Sequence, residues 1–364
     1  MTYDLLMYCV TALYLVQITA FLAGLRRTRP LQSSGATPFV SVIIAARNEE
    51  SNIRSCLTTV CTQSYAASTF EVLLVDDHSE DRTREIATEL AKEYSVVKVI
   101  SASSDGPLRG KTNALATGIK HAKGEIILIT DADCVVPPTW IEETVKRYEP
   151  AVGIVGGMTL QRASRAFEGV QSLDWAYLLG IASAAVSWKN PLSTIGNNLS
   201  FRRKAYDDVG GYESIPFSVT EDYSLFQAII KTGKWEYRYP LSPDLLVESI
   251  PCQTWQDLLR QKHRWGKGGL DMKLSGFFIM AIGFAEHALI LAGPFYGSVF
   301  AALTGWLLKA TGDYVFLYRV LKKVNRLGEL KYFHHFQVYY LLYVLVLPFM
   351  VFFGRKVVWK GRSY

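Results

Sequence analysis

The sequence predicts an α/β protein: a mostly parallel sheet in the middle of the chain, with membrane-spanning helices at both ends. Three observations predict it. Apolar residues make up 49% of the 364 residues, but they gather into nearly uncharged runs near the two termini. Between those runs, short β-branched stretches alternate with helical ones. Two of the predicted strands end in acidic pairs, Asp76-Asp77 and Asp131/Asp133. With 20% charged residues, below the roughly 25% usual for a soluble domain, and a net charge of +6, the chain is neither disordered nor wholly soluble. Five cysteines (Cys9, Cys56, Cys61, Cys134, Cys252) are spread without a CxxC pair or a Cys/His cluster. They read as reduced cytosolic thiols, not as a zinc site or a disulfide frame.

Residues 5–25 are 21 positions without a charge, about the number a hydrocarbon core of roughly 30 Å needs. A cleaved signal peptide would carry its positive charge before the apolar run. Here Arg26, Arg27 and Arg29 follow it, which makes residues 1–26 an uncleaved anchor and puts residue 27 onward in the cytosol.

The next stretch, 27–273, alternates strand and helix. Strands are predicted over 40–45, 71–75, 96–100 and 125–130, and helices over 48–62, 82–94 and 111–121. Continuous apolar strands separated by helices indicate a parallel sheet covered on both faces. Ligands of such sheets bind off the carboxyl ends of the strands, where the acidic pairs lie.

Asp131-Ala132-Asp133 is read as continuing the strand, with both carboxylates on one face. Two hard oxygen donors of this kind suit Mg²⁺ or Mn²⁺ bridging a diphosphate. Such a triplet is common in surface turns, and its value comes from the buried strand before it. Asp76-Asp77 is either an ordinary acidic turn, with Ser79 or Asp81 capping the following helix, or part of the same site. Lys111 follows Gly110 at a helix start, as a surface lysine or a phosphate contact.

Residues 167–188 have helical apolar spacing and fit a core helix or one lying in the membrane interface. Gly196-Asn197-Asn198 and Phe201-Arg202-Arg203 suggest a shaped loop over 194–212. Thr220-Glu221-Asp222-Tyr223 opens an apolar helix, with Thr220 as a candidate N-cap. Acids there serve the helix dipole, or one of them acts as a general base facing a cleft. Gln261-Lys262-His263-Arg264-Trp265 lies in a basic segment just before the membrane. It reads either as juxtamembrane charge or as a diphosphate clamp (Arg264) beside a stacking surface (Trp265).

Residues 274–364 form a C-terminal membrane region of two or three spans. The apolar stretch 276–308, broken at Gly293-Pro294, is long enough for a hairpin, and 336–354 is a further span. Glu286 and His287 inside the first stretch are expected near the bilayer surface or facing the bundle interior. The basic stretch 309–331 is expected as a cytosolic loop. Arg355, Lys356, Lys360 and Arg362 after the last span also ask for the cytosol, which conflicts with a simple count.

Taken in order, residues 41–50, Asp76-Asp77-His78-Ser79, Asp131-Ala132-Asp133, Thr220-Glu221-Asp222 and the Gln261–Trp265 segment resemble the membrane-bound family 2 glycosyltransferases. That family includes cellulose and hyaluronan synthases, ceramide glucosyltransferase, and bacterial carotenoid and hopanoid-associated transferases. The resemblance covers about residues 40–265, and the five motifs are specific as a set. It implies a GT-A fold, a Rossmann-like sheet, and inverting, metal-dependent transfer from a nucleotide-diphosphate sugar of UDP type to a lipid or lipid-linked acceptor. Carried over residue by residue, Ala45, Arg47 and Glu49 would line the nucleoside pocket with Asp76 and Asp77. Lys111 would approach the donor, Asp131 would face ribose and metal, and Asp133 would bind Mg²⁺ or Mn²⁺. Asp222 would be the catalytic base, while Gln261, Arg264 and Trp265 would close over diphosphate and acceptor. Arg47 stands where many relatives carry Tyr. The closing Trp359-Lys360-Gly361-Arg362 resembles bacterial lipid-modifying members and implies an integral protein of a bacterial inner membrane with its C-terminus inside. The bilayer, a nucleotide sugar and a lipid acceptor are the expected partners; nucleic acid is not. Within the class the rival is a processive polysaccharide synthase, and outside it an inactive nucleotide-binding scaffold. A sugar nucleotidyltransferase would need a Gly-rich basic loop where the chain has Ala45-Ala46-Arg47-Asn48-Glu49-Glu50.

Overall fold

The computed structural model describes residues 2–27, 37–103, 106–354 and the backbone of 358–359 and 362–363. The chain divides into two compact units. One comprises residues 29–160 and 193–250; the other comprises 1–28, 161–192 and 251–364. In chain order the elements are α1 (Tyr3–Arg26), β1 (Val40–Ala46), α2 (Ile53–Cys61), β2 (Phe70–Asp76), α3 (Thr83–Glu93), β3 (Val97–Ser101), α4 (Gly110–His121) and β4 (Ile126–Asp131). There follow α5 (Trp140–Val145), β5 (Val152–Gly156), β6 (Thr159–Gln161), α6 (Ala166–Val186), β7 (Leu199–Arg202), α7 (Arg203–Asp207), α8 (Glu221–Lys231), β8 (Glu236–Arg238) and β9 (Val247–Ser249). The last helices are α9 (Trp255–Gly268), α10 (Leu274–Ala292), α11 (Val299–Lys323) and α12 (Phe333–Phe353).

The first unit is built on a seven-stranded sheet of order β3-β2-β1-β4-β7-β5-β8. β1 pairs in parallel with β2 and β4, as do β2 with β3 and β5 with β8. β7 is antiparallel to both β4 and β5, a strand where sequence reading expected a shaped loop. The central strands bury all or nearly all their side chains, so β-branched and aliphatic residues run through them without alternation. Each of Ile43, Ile44, Leu73, Leu74, Ile127 and Leu128 is fully buried, contributing about 1.5–3 kcal/mol by leaving water. α4 lies close on this sheet because Gly118 has no side chain: a Cβ there would come within 2.6 Å of the Ile43 side chain.

Two local expectations fail. The helix expected from residue 48 starts only at Ile53, because Asn48 adopts a left-handed conformation (φ 53°) that breaks helical geometry. Thr220 holds the N-cap position of α8 but makes no side-chain capping bond. Asp81, by contrast, accepts from the Thr83 backbone N–H at 3.0 Å, as a cap for α3 should.

The second unit is helical. Among the described residues, three helices are long and apolar enough to cross a membrane: Tyr3–Arg26, Leu274–Tyr296 and Leu327–Phe353. The chain turns at Gly293-Pro294 as expected for a hairpin. Its second arm, however, continues as α11 through Lys323, so most of the expected 309–331 loop is helix. α6 is buried along most of its length, which favours the core reading over an interfacial one. Small residues let the helices close up: a Cβ on Gly24 would meet the Ala184 carbonyl at 2.5 Å, and one on Gly180 the Val320 side chain at 2.6 Å.

A polar network is buried inside this unit among its apolar side chains. Tyr14 donates to Asp313 at 2.6 Å, Lys309 pairs with Asp313 at 2.8 Å, and Gln337 bridges the two, at 2.9 Å from Lys309 and 3.0 Å from Asp313. Glu286 accepts from Thr11 at 3.0 Å, and both Glu286 and His287 are fully buried, so the pair faces the bundle interior. Arg355, Lys356 and Lys360, and the side chain of Arg362, lie outside the described residues, and with them the charges behind the conflicting topology.

Candidate active site

The register of the sheet assembles the site. Ala45 pairs with Asp131 and Ala46 with Asp76, so the carboxyl ends of β1, β2 and β4 lie level and carry the acidic residues together. On the β1–β2 side, Arg47 Nη1 donates to the Asp77 carbonyl at 3.1 Å and pairs with Glu80 at 3.5 Å. Asp76 and Asp77 are buried, and Asp76 accepts the Ser79 N–H at 3.3 Å. Glu49 accepts from the Asn52 amide at 2.8 Å, and its own backbone N–H donates to Thr83 at 2.7 Å. These bonds fix the 47–52 and 77–83 turns against each other, leaving the half-buried Ala45 between them.

On the β4 side, Lys111 is the central charge. Its Nζ lies 2.6 Å from Asp131 Oδ1 and 3.2 Å from Glu221 Oε1. Burial alone would lower the ammonium, but Asp131 and Glu221 outweigh it and hold Lys111 well above the ordinary lysine value, so it stays charged. Of the two readings of Lys111, the surface lysine is the one that fails; its side chain is 15% exposed.

β4 ends at Asp131, and residues 132–133 turn, closed by Cys134 N–H to the Asp131 carbonyl at 3.1 Å. The two carboxylates therefore do not share the face of an extended strand, contrary to the sequence reading. The turn puts Asp133 beside Ser249 of β9, at 3.5 Å, and Cys134, at 3.4 Å. Burial, together with Asp133 and Asp131, pushes the Cys56 and Cys134 thiols well above their usual range. All five cysteines are free thiols.

Asp222 sits in the first turn of α8, where its Oδ1 accepts the Tyr223 N–H at 2.8 Å. The loop before β7 passes directly beside it: a Cβ on Gly196 would lie 3.1 Å from Asp222 Cβ and Oδ2. That loop is pinned by Thr130, which donates to the Asn197 carbonyl at 3.0 Å, and by Thr159, which donates to Asn197 Oδ1 at 2.8 Å. Glu221, Thr130, Thr159 and Asn197 were not assigned site roles by sequence. The signal for Asn197 was present in Gly196-Asn197-Asn198, but its partners are remote in sequence.

Gln261, Arg264 and Trp265 belong to the helical unit, on α9. Trp265 packs on Trp175 with ring centroids 5.2 Å apart.

Among the described residues no three His, Cys, Asp or Glu side chains converge as a closed metal cage. The donors offered are carboxylates, hard oxygen ligands of the kind Mg²⁺ and Mn²⁺ take one or two at a time, completing their shell with phosphate and water. Asp133 and Asp131 fit that chemistry.

A mostly parallel sheet with acids level at its strand ends is the frame of a GT-A glycosyltransferase. The glycosyl transferase family 2 model matches residues 41–222, and the chain belongs to that family. It is 30% identical over 248 residues to beta-monoglucosyldiacylglycerol synthase of Trichormus variabilis, covering 67% of this chain and 51% of that protein. It is 26% identical over 243 residues to poly-beta-1,6-N-acetyl-D-glucosamine synthase of Staphylococcus epidermidis, covering 66% and 56%. The chain spans about half the length of both relatives. The fold is also that of a mannosyltransferase from Pyrobaculum calidifontis solved with GDP-Man and Mn²⁺, at TM-score 0.62 and 20% identity, covering 97% of this chain and all of that one.

Proposed function

We propose that the protein is an inverting, metal-dependent hexosyltransferase. It moves a sugar from a nucleotide-diphosphate donor of UDP type to a lipid or lipid-linked hydroxyl at the cytosolic face of a bacterial inner membrane. The observation that carries this reading is the charged Lys111 held by Asp131, Glu221 and Asp222 at the strand ends, in a chain that also has helices long enough to span a bilayer. A relative named for a glycolipid product supports a lipid acceptor.

In this reading Ala45, Arg47, Glu49, Asp76 and Asp77 receive the nucleoside, and Lys111 with Asp131 faces the donor's ribose and phosphates. Asp133, with Asp131, would hold Mg²⁺ or Mn²⁺, which supplies positive charge against the diphosphate. Asp222 takes the proton of the acceptor hydroxyl as its oxygen attacks the anomeric carbon. The bond to the diphosphate breaks on the opposite face, and nucleoside diphosphate leaves. General-base removal of that proton contributes typically about 10²–10⁴-fold. Gln261, Arg264 and Trp265 of α9 contact diphosphate and acceptor; the Arg264 guanidinium matches phosphate geometry.

The test is to incubate membranes with a panel of labelled nucleotide sugars and extract the lipids. Metal-dependent label in the lipid extract is expected, lost with Asp222→Asn. Wild-type nucleotide release by Asp222→Asn would sink the reading. The polymer-synthase relative gives a second reading, and label found only in an insoluble high-mass fraction would favour it.

A further inference from the structure

α9 carries a lysine where an amphipathic helix should carry a leucine. Lys262 is 1% exposed, on the face of the helix that also buries Leu258. Its ammonium pairs with Asp174 of α6, itself 3% exposed, and Tyr339 of α12 donates to the same carboxylate at 3.1 Å. The ammonium also lies 4.6 Å from the centre of the Trp265 ring and 5.2 Å from that of Tyr343. A desolvated ion pair this closely enclosed is a poor source of net stability, but it is highly directional.

The direction matters because of helical geometry. At about 100° per residue, Trp255, Leu258, Lys262 and Gly266 fall within one narrow arc. The contacts agree. Trp255 packs on Phe167 at 4.6 Å and Tyr339 at 6.3 Å, Leu258 is buried, and a Cβ on Gly266 would meet Val351 at 2.3 Å. On the same wheel Trp265, Gln261 and Arg264 lie about 60°, 100° and 160° to one side of Lys262, a single contiguous face. The lysine that keys α9 into α6 and α12 thus sets the rotation of the face bearing those three residues.

We infer that Lys262 and Asp174 are positioning residues for donor binding: their buried pair fixes the rotation of α9 and the orientation of Trp265, and so where Gln261 and Arg264 point. This rests on the proposed role of α9 in holding the diphosphate. It adds two residues that touch no substrate.

The test uses the full chain in detergent or nanodiscs and measures donor KM and kcat beside the near-ultraviolet circular dichroism of the tryptophans. For Lys262→Met the donor KM is expected to rise about tenfold, since small misplacements of binding groups carry effects of this size or larger. A variant that merely lost folded protein would lower kcat and leave KM alone. Lys262→Arg keeps the cation and should restore KM to within about threefold, with the Trp175–Trp265 signal recovered. If Lys262→Met fails to fold, Lys262→Met/Asp174→Leu removes the stranded charge, and its KM should still be raised. Wild-type KM in either folded variant, or an unchanged tryptophan signal, overturns the inference. An inactive wild type would instead count against the proposed function, and the tryptophan signal of Lys262→Met would still decide whether the pair orients Trp265.

Discussion

The two units treat buried charge in opposite ways. In the helical unit, two buried lysines each meet one acid: Lys262 meets Asp174, and Lys309 meets Asp313 with Gln337 and Tyr14 completing the bonds. At the strand ends of the α/β unit, Asp131 and Glu221 both pair with the Lys111 ammonium, and Asp222 adds a third negative charge acting on it. A matched set closes a structure. An acid-rich set suits a further cation, which under the proposed function is the metal that would accompany the diphosphate. The contrast separates charge that holds helices together from the charge to which the proposed function gives the chemistry.

The sharpest way to break this contrast is to unmatch a pair. Asp313→Ala strands the Lys309 ammonium in the bundle, where removing one partner of a buried pair typically costs about 3–5 kcal/mol. The thermal midpoint in detergent should fall steeply. Lys309→Met/Asp313→Leu should recover most of the loss, since apolar replacement of both partners is often neutral. A folded Asp313→Ala protein with an unchanged midpoint would show that the matching is incidental.

In the α/β unit the corresponding change should touch activity and spare stability. Gly196→Ala places a methyl 3.1 Å from the Asp222 carboxylate, close enough to push it by a few tenths of an ångström. Turnover is expected to fall about tenfold if Asp222 is the base proposed above, because displacement of a reacting group is costly. The thermal midpoint should stay near wild type. Equal loss of both would mean that the loop is as structural as the helical network.

Much of the site was legible in the sequence because it rests on local patterns. Continuous β-branched runs mark buried parallel strands, and Asp76 and Asp131 are the acids that close two of them at the carboxyl edge of the sheet. What was not legible depends on partners chosen at long range. Nothing local says that β7 inserts antiparallel between β4 and β5, or that Thr130 and Thr159 both reach Asn197. Charges buried inside the bundle read as surface charges: Lys309 was assigned to a loop, and Lys262 passed as one more juxtamembrane lysine. Hydropathy weighs a residue by its own transfer cost and cannot see the Asp174 or Asp313 that offsets it. The Asp131–Asp133 geometry is not legible locally, because a buried strand gives no sign of where it ends and Cys134 closes a turn there.

The smallest expected effect lies at the start of α6, and its pH dependence fixes its sign. Glu168 accepts from the Ser164 N–H at 2.8 Å and hydroxyl at 2.7 Å, and from Arg165 Nε at 2.8 Å, forming a capping box. Burial pushes its carboxyl up, but the Ser164 bonds and the Arg165 charge outweigh this and hold it at about 2, against an ordinary value of 4.5. A carboxyl lowered on folding stabilises the folded state fully above its unfolded value, and the contribution is lost as the pH falls through about 2. Glu168→Gln should therefore cost about 1 kcal/mol near neutrality, the usual weight of a helix cap. The gap in thermal midpoint between wild type and Glu168→Gln should narrow steadily as the pH is lowered below about 4.5. A gap that is constant with pH would assign the loss to shape rather than charge. It would then count Glu168 as a packing residue of the helical unit and not as one more matched charge.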